Sequence, residues 1–261
     1  MAMAPLPAGT YPPWVIAHRG ASADYPENTH AAFAAALGLP IAGIELDVQL
    51  SRDGMPVVFH HRTLARAGRR GRRVHQLDLT ELRRLDAGGW LARRFRGEPL
   101  PALDEVLERY GGRTLLLLEV KARRTVDTPE RHLELARRVV DAVRARRLDD
   151  AVYLLSFNPA VLAEVHRVAP HLRCVRNLDE PIPLRGRGAP RPGALAALCV
   201  DVRRLTRAFV DQAHRHDLPV LSYTCNTPRT VNRALGAGID ALISDRPAWL
   251  ADYLSRREPR P

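Results

Sequence analysis

The sequence predicts an α/β protein: a (β/α)8 TIM-type barrel with a hairpin and a small insertion after the second strand. Three observations carry this expectation. Short apolar runs alternate with amphipathic segments along most of the 261 residues, and strand–helix alternation builds a parallel sheet with helices outside it. Nine strand-like runs are present, one more than the barrel needs. Two of them are separated only by Ser51-Arg52-Asp53-Gly54-Met55, too short for a parallel crossover of about a dozen residues. Those two runs therefore form an antiparallel hairpin, and eight parallel strands remain.

The strands are expected at 14–18, 44–48, 56–60, 115–120, 152–156, 172–175, 197–200, 219–223 and 241–244. Thr128-Pro129, Asn158-Pro159 and Thr227-Pro228 each place a capping side chain before proline at the first helical position. The helix from Pro129 carries Leu133, Ala136, Val140 and Val143 at helical spacing, and the one from Pro159 carries Leu162, Val165 and Val168. Residues 29–37 read as a core-facing helix through Phe33 and Leu37. The helix before Ile239 ends at Gly236 and Gly238. The stretch 62–101 breaks the rhythm: it is arginine-rich and polar, with one short helix around 80–85, and reads as an excursion from the active face of a single domain spanning 1–261. Residues 256–261 read as a frayed tail.

Composition is globular, with 46% hydrophobic and 26% charged residues. Segment 1–13 has no basic start and no apolar core of a signal peptide, and no run approaches the roughly 20 apolar residues of a membrane helix. Cys174, Cys199 and Cys225 are far apart and odd in number, which argues against a disulfide framework and for small buried hydrophobes. The expectation is a soluble cytoplasmic protein without stable membrane insertion. The formal charge is +11, and of 40 basic residues one is lysine, Lys121, leaving 39 arginines. No nucleic-acid-binding motif accompanies the charge, so the arginines read as solvated faces and no specific nucleic-acid partner is expected.

Barrel enzymes place their chemistry at the carboxyl ends of the strands, and there this sequence is polar. The first strand ends in His18-Arg19-Gly20, the second carries Glu45 and Asp47 on one face, the next parallel strand carries Glu119 and Lys121 on one face, and the last ends in Asp245. A hairpin turning at Arg52–Asp53 sets His60 opposite Glu45 and Val58 opposite Asp47, with His61 on the other face. Three converging carboxylates repel one another unless a cation lies among them. Glu45, Asp47 and Glu119 are therefore candidate oxygen ligands for a divalent cation, Mg2+ or Ca2+. Zinc suits this set less. His18 and His60 flank the set as a general acid and base, and the fork of Arg19 suits phosphate. The remaining histidines read as surface or packing residues.

At these residues the sequence resembles the glycerophosphodiester phosphodiesterase family. The resemblance runs through Ile16-Ala17-His18-Arg19-Gly20, Pro26-Glu27-Asn28-Thr29, Glu45-Leu46-Asp47-Val48, Val57-Val58-Phe59-His60, Leu118-Glu119-Val120-Lys121, Ser156-Phe157, Thr224-Cys225-Asn226 and Gly238 through Pro247. It implies a barrel with a small insertion and divalent-metal-dependent cleavage of a small-molecule glycerophosphodiester to glycerol 3-phosphate and an alcohol. It also implies His18 and His60 as the acid–base pair, Glu45, Asp47 and Glu119 as metal ligands, and Arg19 and Lys121 as phosphate-side cations. Glu27 would orient Arg19 or the metal's surroundings. The chain departs from the family pattern twice. The usual His-Asp is His60-His61, followed by Arg62, and the usual aromatic of a Trp-Thr-x-Asn segment is Tyr223, preceded by Ser222. The alternatives are a lysophospholipase D-like enzyme, with Trp90, Leu91 and Phe95 as its apolar rim, and a catalytically silent phosphate-binding barrel.

Overall fold

The structure is a computed structural model that describes residues 6–9, 11–122, 128–184 and 193–257. The expected tail therefore lies, beyond Arg257, outside the described residues. Nine strands form one sheet: β1 (Trp14–His18), β2 (Gly43–Leu50), β3 (Pro56–Val58), β4 (Leu115–Val120), β5 (Val152–Ser156), β6 (Arg173–Leu178), β7 (Ala197–Asp201), β8 (Val220–Tyr223) and β9 (Ala241–Ser244). All neighbours pair in parallel except β2 and β3. β1 pairs with both β2 and β9, which closes eight parallel strands into the expected barrel, and β3 stands outside the ring as the hairpin arm.

The helices are α1 (His30–Leu37), α2 (Leu79–Leu82), α3 (Leu103–Tyr110), α4 (Pro129–Ala145), α5 (Pro159–Val168), α6 (Arg207–His214), α7 (Pro228–Ala237) and α8 (Pro247–Ser255). Their starts follow from side-chain caps: the side chains of Thr29, Thr128, Asn158, Thr206 and Thr227 each accept a hydrogen bond from a backbone N–H of the first turn. α7 stops where Gly238 turns left-handed. The buried face of α4 runs through His132, Leu135, Ala136, Val139, Val140 and Val143. Leu133, expected on that face, is only half-buried.

Strand alternation divides the core in two. Inward-facing Ile16, Leu115, Leu117, Tyr153, Leu155, Val175, Ala197, Cys199, Leu221, Ala241 and Ile243 fill the barrel. Outward-facing residues such as Leu46, Leu118, Leu154, Leu198 and Val220 pack under the helices. Leu6 joins the inner cluster, its backbone N–H donating to Tyr153 Oη at 2.8 Å. Residues 62–101 hold three 3-10 turns and α2 around a small apolar cluster of their own that includes Val57, Phe59, Leu64, Leu82 and Leu100. No described helix is long and apolar enough to cross a membrane. The three cysteines are free and buried, and burial pushes the thiols of Cys174 and Cys225 up to about 12.

The expected hairpin register is corrected. Val48 pairs with Val58, Gln49 with Val57 and Leu50 with Pro56, one residue away from the pairing that would set His60 opposite Glu45. The turn is the reason. Ser51 N donates to Met55 O, and Gly54 at φ 77° closes a three-residue loop centred on Asp53. A three-residue loop with glycine in the left-handed position is a standard alternative to the two-residue turn and moves the register by one. The ladder also ends at Val58, two residues earlier than expected.

Candidate active site

The carboxyl ends of β1, β2, β4 and β9 bring the polar residues together above the barrel core. A cavity of about 250 Å³ opens there, lined by His18, Arg19, Glu45, His60, Glu119 and Lys121, with Leu155, Phe157, Tyr223 and Ile243 on its uncharged side. Asp47 lies beneath the lining, only 1% exposed. Glu27 stands behind Arg19, outside the cavity.

The local sequence explains how the first motif is held. Arg19 and Asn28 both have positive φ, at 58° and 59°, a costly conformation for residues with a Cβ that clusters at functional sites. Two backbone bonds over-determine it: Arg19 N donates to Glu45 O at 2.7 Å, and Asn28 N donates to Arg19 O at 3.0 Å. Gly20 (φ 85°) is obligatory, because a Cβ there would lie 2.6 Å from the Ala32 carbonyl carbon. The Pro-Glu-Asn-Thr segment then does three things in sequence. Glu27 Oε2 accepts from Arg19 Nη1 at 3.1 Å. Asn28 Nδ2 donates to Asp47 Oδ2 at 2.8 Å while its Oδ1 accepts from Asp47 N at 3.2 Å. Thr29 caps α1.

Glu45, Asp47 and Glu119 come together as expected. Each offers an oxygen, and these atoms lie within 4.8 Å of one another. Cations already border the set: Lys121 Nζ lies 2.6 Å from both Asp47 Oδ1 and Glu119 Oε1, and Arg19 Nε lies 3.1 Å from Asp47 Oδ2. Burial opposes the charge on Asp47, but Lys121 and Arg19 outweigh it and hold the carboxyl well below its usual range. Glu45 is different. Burial, with Asp47 and Glu119 beside it, pushes its carboxyl well above the usual range, and its Oε2 is buried without a hydrogen-bond partner among the described residues. A buried carboxylate oxygen lacking a donor, facing two further carboxylates, is what an oxygen-liganded divalent cation would satisfy. The residues present fit such an ion.

His18 is oriented by a residue to which sequence reasoning assigned no role. Its Nδ1 lies 2.5 Å from Asp245 Oδ1, leaving Nε2 toward Glu45 at 3.8 Å. Burial opposes the charge on Asp245, but the hydrogen bond to His18 pulls its carboxyl below the usual range. Asn226 fixes Asp245 in turn, donating from Nδ2 to Oδ2 at 2.6 Å and accepting from the Asp245 backbone N–H at 2.9 Å. An acid closing the last barrel strand was the available signal for Asp245. Asn28 and Asn226 stood in recognisable motifs, but nothing in their spacing told what they would hold.

His60 reaches the cavity even though its register was misjudged. Gln49 Nε2 donates to the carbonyls of Phe59 and His61, so the chain leaves the ladder without keeping strand alternation. His61 consequently is not turned away. Its ring centroid lies 4.9 Å from that of His60, and its Nε2 lies 2.7 Å from Glu27 Oε1. Burial, reinforced by the charges of Arg19 and Lys121, holds His60 down near 3. Burial opposes the charge on Glu27, but the His61 hydrogen bond and Arg19 pull its carboxyl down to about 2.

A closed parallel barrel with a cation-ready carboxylate cluster and two imidazoles at the carboxyl ends of its strands is the arrangement of a TIM-barrel enzyme. The chain belongs to the glycerophosphoryl diester phosphodiesterase family, whose sequence pattern matches residues 18–249. It is 30% identical over 249 residues to the glycerophosphodiester phosphodiesterase of Caldanaerobacter subterraneus subsp. tengcongensis, covering 93% of this chain and 98% of that one. Among solved structures, one from Silicibacter pomeroyi is 30% identical with a TM-score of 0.82, covering 96% of this chain and 95% of that one. An Oleispira antarctica phosphodiesterase, solved in complex with the product sn-glycerol-3-phosphate, is 28% identical with a TM-score of 0.81, covering 93% and 97%.

Proposed function

We propose that the protein hydrolyses small glycerophosphodiesters to glycerol 3-phosphate and an alcohol. The observation that carries this reading is the meeting of Glu45, Asp47 and Glu119 with His18, His60 and Arg19 in and beneath one cavity. Glu45, Asp47 and Glu119 would hold the divalent cation, Mg2+ or Ca2+. When bound, it supplies Lewis-acid stabilisation of the phosphoryl oxygens and a fixed point for the phosphate. Arg19, pinned between Asp47 and Glu27, offers its remaining N–H groups to the same oxygens. Lys121 fixes the spacing of Asp47 and Glu119 and adds positive charge on the phosphate side.

An ionised Asp245 can only accept, so Nδ1 of His18 carries the proton and Nε2 is the proton acceptor. We assign His18 to the base and His60 to the acid. His18 removes a proton from the attacking oxygen, a new P–O bond forms, the bond to the alcohol oxygen breaks, and His60 delivers a proton to that oxygen. The attacker is water, or the neighbouring glycerol hydroxyl by way of a cyclic phosphate that water then opens. Burial is the larger reason His60 is held down, so the neutral ring can donate only once the entering phosphate, whose negative charge offsets Arg19 and Lys121, has favoured its protonation.

Small water-soluble diesters are favoured over lysophospholipids by what has become of the candidate apolar rim. Trp90 is 38% exposed, but Arg66 covers its face at 4.2 Å and its Nε1 donates to Ala87 O. Phe95 packs on Tyr25 with centroids 5.5 Å apart. Three free buried thiols suit the reducing cytoplasm, where we place the reaction. Release of glycerol 3-phosphate from a panel of glycerophosphodiesters and lysophospholipids, with and without chelator, tests the reading. Turnover of the diesters that vanishes with chelator and returns with Mg2+ or Ca2+ is expected. Full activity in verified metal-free protein would overturn the ligand assignment.

A further inference from the structure

One polar group in the cavity wall is left without a partner. Asn177 on β6 lines the cavity and is 4% exposed. Its Oδ1 is buried with no hydrogen-bond partner among the described residues. Alternation sets it two residues beyond Val175, on the inward face of the strand. A buried amide oxygen without a donor costs free energy, so one kept in a cavity wall calls for a ligand that meets it. A half-turn about the last side-chain bond exchanges oxygen and nitrogen, so the amide can turn an acceptor or a donor to the cavity.

The neighbouring wall does not supply the partner. Tyr223 Oη donates to the Leu178 carbonyl at 3.1 Å. Cys199, opposite Asn177 in the β6–β7 ladder, is enclosed, and burial pushes its thiol well above the usual range. Leu155, Phe157 and Ile243 have no polar side-chain atoms. Thr224 is only half-buried, so its hydroxyl is not enclosed in the same way.

The position of β6 says what reaches Asn177. Three strands separate β6 from β1 in either direction around the ring, so the two face each other across the barrel. Arg19 and the carboxylate cluster, which take the phosphate, lie at the ends of β1, β2 and β4. One arm of a bound diester therefore runs toward β6. It enters between Phe157, just past β5, and Tyr223, the last residue of β8, whose rings meet edge to face with centroids 6.2 Å apart. An arm with apolar carbons and one outlying hydroxyl matches two rings and one amide. A quaternary ammonium has no N–H or O–H for Oδ1, and an anionic headgroup would be desolvated there without a cation.

We propose that Asn177 is the residue that selects glycerol: its amide bonds the terminal hydroxyl of the glycerol arm, the one farthest from the phosphate, while the glycerol carbons pack on Phe157 and Tyr223. This rests on the hydrolase reading above and specifies which arm of the diester lies on which side. The middle hydroxyl, one carbon nearer the phosphate, stays by the carboxylate cluster, and the alcohol arm is left toward His60.

The test titrates three phosphomonoesters into the protein by calorimetry, with divalent cation supplied: glycerol 3-phosphate, propane-1,2-diol 1-phosphate, which lacks the terminal hydroxyl, and 3-hydroxypropyl phosphate, which lacks the middle one. The wild-type protein should bind glycerol 3-phosphate at least about tenfold tighter than propane-1,2-diol 1-phosphate, the scale of leaving a buried polar group unpaired. Asn177→Leu, of similar size, should weaken glycerol 3-phosphate and 3-hydroxypropyl phosphate by the same factor and leave propane-1,2-diol 1-phosphate nearly unchanged. Asn177→Ala should do likewise, and thermal melts accompany both variants. Equal wild-type affinity with and without the terminal hydroxyl, or an equal loss for all three ligands in both folded variants, overturns the role of Asn177. Turnover of the diester panel is measured alongside: if it persists, the hydrolase reading stands whatever Asn177 does, and no turnover of any diester overturns the hydrolase reading itself.

Discussion

His18 and Asp245, 227 residues apart in the chain, meet at 2.5 Å across the seam where β1 pairs with β9. The contact fixes the imidazole's proton on the side away from the cavity, and Asn226 and Ser22 fix the carboxylate in turn. Asp245 neither lines the cavity itself nor belongs to the carboxylate cluster, so it acts through His18.

Asp245→Asn should therefore lower kcat by about 10- to 100-fold, the usual scale for removing an orienting partner of a functional histidine, with a much smaller change in KM. The amide can present a donor to Nδ1 and favour the wrong tautomer, so activity should recover only slightly at higher pH. Steady-state kinetics on protein with a wild-type melt would check this. A loss confined to KM would show that Asp245 shapes the pocket rather than the base.

The two adjacent histidines should behave differently, for a reason other than strand alternation. His60 lines the cavity, and His60→Ala should cost about 100-fold or more in kcat. His61 contacts Glu27, which holds Arg19. His61→Ala should act indirectly and cost about tenfold or less, mostly in KM. Kinetic profiles of the two variants compared side by side decide it, and equal kcat losses would place His61 in the chemistry.

Lys121→Arg should keep the charge and the fold yet lose at least about tenfold in kcat/KM, or roughly 1.4 kcal/mol. The ammonium fits between Asp47 and Glu119 at 2.6 Å to each, and its side chain is almost wholly enclosed. A planar guanidinium is wider and would spread the two carboxylates. Kinetics together with a melt test the point, and wild-type kcat/KM in a folded variant would make this lone lysine an accident of composition.

A pH prediction comes from the outer layer. Glu164 on α5 accepts from Arg137 on α4 and from Arg167, and those hydrogen bonds hold its carboxyl at about 2. A depressed acid stabilises the folded state above its unfolded value of roughly 4.3 and loses that contribution as pH falls toward the folded value. Both arginines are well exposed, so the contribution at neutral pH is about 0.5–1 kcal/mol. Urea melts should show Glu164→Gln less stable than wild type at pH 7, with the gap closing between about pH 4 and pH 2. A gap independent of pH would mean the loss is packing rather than charge.

Period and length, which are local properties, determined most of the architecture. A five-residue connection forbids a parallel crossover, and removing that arm leaves eight strands that close through β1 with β2 and β9. The placement of His18, Arg19, Glu45, Asp47, Glu119 and Lys121 at strand ends was legible for the same reason: alternation along a regular strand tells which residues share a face. His60 lies just beyond such a strand, where alternation no longer holds. Gly54 set the turn, Gln49 pulled the carbonyls of Phe59 and His61 across, and only the folded chain shows both imidazoles near Glu27. The partners of the site residues were likewise decided in three dimensions. Asn28 on Asp47, Asp245 on His18 and Arg66 on Glu27 are contacts between segments whose approach depends on how the closed barrel and its excursion pack, and no local pattern encodes which donor will meet which acceptor.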